Sequence, residues 1–199
     1  MSLKTETVET YNKSAEAFAK KFDSSGARVD DITYVFSMCE KKQPSVLEIG
    51  CGNGRDSEVI SKYTSNYTGI DISKELLAIA KVRLPQVNFQ LADIESFEFP
   101  KNIDIVFAFA SLIHVERKSF SNIMKALYEK MNTNGLVFVS LKYADVYTEI
   151  TKQDEFGVRT YWHYSQSDLP KIASGFSIAH TSIQEVHNQI WMDILFQKK

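Results

Sequence analysis

The stretch Ser45-Val-Leu-Glu-Ile-Gly-Cys-Gly-Asn-Gly-Arg-Asp56 leaves the chain few ways to fold. Val46, Leu47 and Ile49 make a short apolar run of the kind that forms a buried strand. Gly50, Gly52 and Gly54 follow at once, and Asp56 to Lys62 reads as the start of a helix. Strand, tight turn and helix form the first unit of a nucleotide-binding α/β sheet. Its glycines let backbone approach a ligand, and its helix N-terminus offers unpaired N–H groups. Asn66-Tyr-Thr-Gly-Ile-Asp71 is a second short strand ending in a carboxylate. Asp71 lies 17 residues after Gly54, near the ~20-residue offset at which an acid grips ribose hydroxyls.

The rest of the chain fits one domain over residues 1–199. Its length suffices for a single sizeable core, and hydrophobic and charged fractions of 44% and 24% are those of a globular protein. A net charge of −2 carries no electrostatic footprint for nucleic acid or anionic membrane. No apolar run approaches the ~18 residues that span a bilayer. Cys39 and Cys51 have neither metal-type spacing nor a need to pair, so a reducing cytoplasm is the expected compartment.

Apolar periodicity predicts a helix over Thr5–Phe22, with Val8, Tyr11, Ala15, Phe18 and Phe22 on one stripe, and another over Asp30–Lys41. Ser73 caps a helix to Arg83, and Val87–Leu91 is a strand. Ile103–Phe109 is almost continuously apolar and belongs in the middle of a sheet. Ser119–Met131 is an amphipathic helix and Leu136–Leu141 a fifth strand. Residues 142–164 look irregular, an excursion over the top of the sheet. Ser165 and Asp168 form an S-x-x-D box opening a short helix. Phe176–Val186 and Gln189–Gln197 read as an antiparallel pair joined by His187-Asn188. Strands alternating with helices argue a three-layer, doubly wound, mostly parallel sheet, with ligands beyond the carboxyl ends of its strands.

The glycine pattern is G-x-G-x-G after Glu48, with Arg55 where a dinucleotide fingerprint has its third glycine. It resembles motif I of the class I S-adenosylmethionine (SAM) methyltransferases. Leu91-Ala-Asp-Ile94 is similar to their third-strand motif, and Ile103-Asp-Ile-Val-Phe-Ala-Phe-Ala-Ser-Leu-Ile-His-Val115 to their fourth. The chain looks like the small, stand-alone bacterial branch that includes the tellurite-resistance-type enzymes. The resemblance implies a seven-stranded sheet closed by the C-terminal antiparallel pair, with residues 1–43 folded over the cofactor. It implies SAM as cofactor, S-adenosylhomocysteine as product and a small-molecule acceptor. No Asn/Asp-Pro-Pro-Tyr motif, paired cysteines or metal cluster is legible. Two rivals stay open: a non-catalytic SAM-binding module and an NAD-dependent oxidoreductase. Monomer and homodimer stay open too.

By that resemblance Gly50, Cys51, Gly52, Asn53 and Gly54 line the cofactor together with Glu48, Phe109 and Ala110. Asp71 takes the ribose, Ile72 packs on the adenine, Ile94 joins the cofactor-binding set, and Asp93 takes the adenine amino group or else caps the helix that follows. Arg55 is either a solvated helix residue or the partner of the methionine carboxylate. Tyr11 is either core or a cofactor contact. His114 and His163 are the titratable candidates for acid/base work, His114 having the alternative of fixing the fourth-strand loop. Tyr161, Trp162 and Tyr164 either roof the core or wall the acceptor pocket.

Overall fold

The computed structural model describes residues 2–199. Five parallel strands form its centre: β1 (Val46–Ile49), β2 (Tyr67–Asp71), β3 (Asn88–Leu91), β4 (Ile103–Phe109) and β5 (Met131–Tyr143), in the order β3-β2-β1-β4-β5. Every residue of β4 is buried. Val106 and Ala108 enter one core while Ile105, Phe107 and Phe109 enter the other, which explains the continuous apolar run. Helices α4 (Arg55–Ile60) and α5 (Lys74–Arg83) lie with α3 (Val29–Met38) on one face, contributing Ile32, Val35, Ile60, Leu77 and Ala80. Helix α6 (Arg117–Lys130) and the single turn α7 (Leu169–Ile172) cover the other through Phe120, Ile123, Leu127 and Ile172.

The sheet has nine strands rather than seven. Seven are those expected: the parallel five, then β9 (Gln189–Lys198) antiparallel to β5, then β8 (Phe176–Val186) antiparallel to β9. His187 and Asn188 turn between them with φ of 51° and 57°, the left-handed pair of a tight hairpin. The other two strands, β6 (Thr148–Asp154) and β7 (Gly157–Tyr164), make a hairpin inside the stretch that reads as irregular in sequence. All but one residue of β6 is exposed, so it carries no apolar alternation to betray it. The hairpin joins the sheet through two parallel pairs, Lys142↔His163 and Tyr143↔Tyr164.

The expected first helix is two, α1 (Leu3–Lys13) and α2 (Ala15–Ser25), broken at Ser14, whose hydroxyl donates to Phe156 O at 2.9 Å. The face that α1 buries is threonine, not the apolar stripe. Thr10 Oγ1 donates to Val158 O at 2.7 Å, and Thr7 Oγ1 accepts from Thr160 N at 3.1 Å. These bonds bind α1 to β7, across the carboxyl ends of the parallel strands.

Tyr164 is fully buried, set edge-on against Phe120, and donates its hydroxyl to Val115 O. It is a core residue, correcting its place as a pocket wall. Tyr164→Phe leaves the Val115 carbonyl buried without this donor, so chemical denaturation should report a loss of about 1–2 kcal/mol.

Candidate active site

Two loops at the strand ends are locked to each other. Gly50 has φ +75°, and a Cβ there would stand 2.2 Å from Ser111 Cβ, because the loop after β4 crosses the glycine directly. Ser111 Oγ then donates to Ile49 O at 2.6 Å. Gly52, φ +54°, is buried, and a Cβ there would meet nothing closer than Phe22 of α2 at 3.9 Å, so the turn has room for a small group beneath that helix. The Asp71 carboxylate accepts from Gly52 N and from Ser73 N, both at 2.8 Å. Burial raises its pKa above the ordinary carboxylate range, against the pull of the Ser73, Gly52 and Ile72 backbone donors. Ile72 is half-buried beside it. At the end of β4 Ala110 takes φ +53°, an uncommon backbone state for a residue with a Cβ.

Helices α1 and α2 roof these loops. Lys4 pairs with Asp93 and, at 2.6 Å, with Glu95. Asn12 Oδ1 accepts from Ser73 Oγ at 2.9 Å and Glu75 N at 3.3 Å. Asn53, buried, donates to Asp23 at 2.9 Å. Arg55 donates to Phe22 O at 3.1 Å and to Asp56, so its guanidinium fastens α2 to α4 instead of standing free for a carboxylate. Asp93 likewise spends one oxygen on Lys4 and offers the other to Glu95 N at 3.1 Å. Ile94 is half-buried against the core. A surface groove of about 840 Å³ lies outside this roof between the α1–α2 junction and α5, away from the strand ends.

Under α1 an aromatic and cationic group gathers. His114, in a 3-10 turn after β4, has Nδ1 2.6 Å from Thr160 O and Nε2 2.9 Å from the Tyr11 hydroxyl. A carbonyl only accepts, so Nδ1 carries the proton and Tyr11 donates to Nε2. Burial drives His114 down to about 4, with Arg159 and Lys142 adding to it, so the ring is neutral. Tyr161 lies 4.9 Å from His114, ring to ring, and Trp162 is half-buried against the core. His163 is paired in register with Lys142, and its buried Nε2 has no partner among the described residues.

The sequence reading missed Arg159 and Lys142. Arg159 is buried against Asp154 and the rings of Phe18, Phe156, Tyr161 and Tyr11, 4.8–5.7 Å away. The available signal was a cation next to the Tyr-Trp-His-Tyr run, and a lysine ending the apolar fifth strand. Two other expectations change. Phe109 is stacked on Phe107 in the core beneath α3, and Cys51 is buried, its thiol pushed well up by the burial. Among the described residues no group of His, Cys, Asp and Glu side chains is arranged to hold a metal, and no helix is long and apolar enough to cross a membrane.

Residues 46–135 match a family model described as a methyltransferase domain. Over 129 residues the chain is 30% identical to the ubiquinone biosynthesis O-methyltransferase of Dechloromonas aromatica, covering 62% of this chain and 53% of that protein. The chain thus spans about half the length of the curated relatives it matches. The fold is that of a SAM-dependent methyltransferase from Methanosarcina mazei, at TM-score 0.72 and 19% identity over 82% of this chain and 96% of that one. It is also that of TehB from Haemophilus influenzae, at TM-score 0.70 and 17% identity over 85% and 62%.

Glu48 is engaged away from the strand-end loops. It lies on β1, buried, accepting from Tyr67 OH and from Ser57 Oγ at 2.7 Å. Burial and the nearby Asp56 charge lift its pKa from 4.5 to about 7. The native state therefore keeps a proton that the unfolded chain has released. That contribution is full below pH 4.5 and is lost as pH rises through about 7. Glu48→Gln should flatten the fall in unfolding free energy between pH 5 and pH 8 by roughly 2–3 kcal/mol, measured by urea titration at both values.

Proposed function

We propose that this chain, whose residues 46–135 match a methyltransferase domain and whose fold is that of the class I SAM-dependent enzymes, transfers a methyl group from SAM to a small-molecule acceptor. The observation that carries the reading is the Asp71 carboxylate bound to the backbone of Gly52 in the glycine turn at the strand ends. The site fits the cofactor. The two Asp71 oxygens carry about four lone-pair sites; Gly52 and Ser73 take one each and Ile72 also acts on the carboxylate, which leaves capacity for a ribose hydroxyl. With no Cβ at Gly52, a ligand could approach its backbone once Phe22 of α2 moves aside. Gly50, Gly52 and Gly54 with Asp71 and Ile72 would hold it, with Asp93 turned to the adenine once released from Lys4. Bound there, SAM supplies an activated methyl group on a sulfonium, open to in-line displacement by an acceptor lone pair.

The chain's own part is positional. Aligning the acceptor and excluding water account for most of what such a reaction asks of its protein. His114, neutral and hydrogen-bonded at both nitrogens, holds Tyr11 and with it α1 over the strand ends. His163 is the ring with a free buried nitrogen, available to receive a proton from an acceptor. Tyr161 and Trp162 supply the aromatic wall.

Calorimetric titration with S-adenosylhomocysteine and NAD in parallel tests the cofactor: the first should bind at one site per chain and the second should not. Asp71→Ala should weaken that binding at least tenfold, since two hydrogen bonds to a charged acceptor carry about 1.5–3 kcal/mol. Unchanged affinity removes Asp71 from the site. For His114→Asn the expected outcome is lost hydrogen-exchange protection across α1 together with weaker S-adenosylhomocysteine binding. A drop in turnover of ~10²-fold at unchanged affinity would instead make His114 the base.

A further inference from the structure

Lys142 closes β5 at the end of the sheet where the candidate site lies. The residue is 8% exposed, and among the described residues its ammonium pairs with no carboxylate. It donates to the neutral Gln189 Oε1 at 2.8 Å and stands 4.6 Å from the centre of the Tyr161 ring and 5.4 Å from that of Trp191. The surrounding charge is of its own sign. Arg159, Lys152 and Lys21 all act on it, and with burial they bring its pKa down to about 8. The nearby acids are committed elsewhere. Asp154 is taken by Arg159, and Asp193, two positions along β9 from Trp191, is taken by Arg28, Ser140 and Gln184.

A buried cation without a counter-charge is costly, and two ring faces with one amide oxygen offset only part of that cost. Two further buried nitrogens nearby lack partners: Nε of Arg159 and Nε2 of His163, the latter in register with Lys142. Tyr161 joins the two halves of this group, lying 4.9 Å from His114 and 5.5 Å from Arg159. Lys142, the rings and the unpaired Arg159 N–H together make a receptor for a negative group on an apolar body.

We propose that the methyl acceptor is an organic acid, whose carboxylate is bound by Lys142 between Tyr161 and Trp191. The assignment rests on the methyltransferase reading above and narrows its acceptor to one charge class. Lys142 then determines specificity: its ammonium pairs with an acid, whereas a neutral analogue of the same shape leaves the lysine as it stands here.

The test separates this assignment from the reading it rests on. With S-adenosylhomocysteine saturating, benzoate, phenylacetate, cinnamate and hexanoate are titrated beside their primary amides, with tryptophan fluorescence and calorimetry as readouts. At least one acid should bind tenfold or more tighter than its amide. Lys142→Gln should abolish that preference while S-adenosylhomocysteine affinity stays within twofold. Lys142→Arg, which keeps the charge, should retain the preference and serves alone if the glutamine variant fails to fold. No acid preferred over its amide, a preference surviving in Lys142→Gln, or one lost in a folded Lys142→Arg each overturns the proposal. Failure of S-adenosylhomocysteine to bind the wild-type chain overturns the methyltransferase reading instead, and the acid–amide comparison is then read without it.

Discussion

One carboxylate holds the ligand-facing end of this sheet in shape. Asp71 accepts from Gly52 in the first loop and from Ser73 at the start of α5, so the ends of β1 and β2 and the first turn of α5 share one anchor. Ser73 in turn caps α5 through its hydroxyl and reaches Asn12 of α1 with the same atom. The glycine turn is fixed from outside as well, by Ser111 crossing Gly50, by Asn53 on Asp23 and by Arg55 on Phe22. A carboxylate that receives two backbone donors keeps acceptor capacity to spare, so structural and binding roles coexist in one side chain.

The parallel core was legible because its signals are local. The Gly50–Gly54 turn, the apolar run Ile103–Phe109, the Ser73 cap and the His187-Asn188 hairpin each bring their own chemistry with them. The β6–β7 hairpin was not, because Thr148–Asp154 turns almost wholly to solvent and shows no alternation. Depth was the other thing hidden. Glu48, Phe109 and Tyr164 stand beside motif positions in sequence, yet their side chains point into the core. Conversely, Lys142 and Arg159 carry charges that composition assigns to the surface, and only long-range packing brings aromatic rings around them.

The two sides of the site have opposite electrostatic character. The turn side presents Asp71 and Asp93, while the β5–β7 side gathers Lys142, Arg159, Lys152 and Lys21 around aromatic rings. A net charge of −2 conceals this division. Burial sharpens it, because charges in a poorly solvated cleft act on one another over distances at which exposed ones are screened. It also sets the protonation of His114, whose ring is neutral through burial next to two cations.

Helix α1 touches both sides at once. Lys4 and Asn12 bind it to the loops after β3 and β2, while Thr7, Thr10 and Tyr11 bind it to β7 and to the turn after β4. A ligand that draws Lys4 off Asp93 thereby works against contacts made on the far side, and one entering beneath Tyr11 works against those at Asp93. One helix thus ties both halves of the candidate site together, so that displacing α1 on one side strains its contacts on the other.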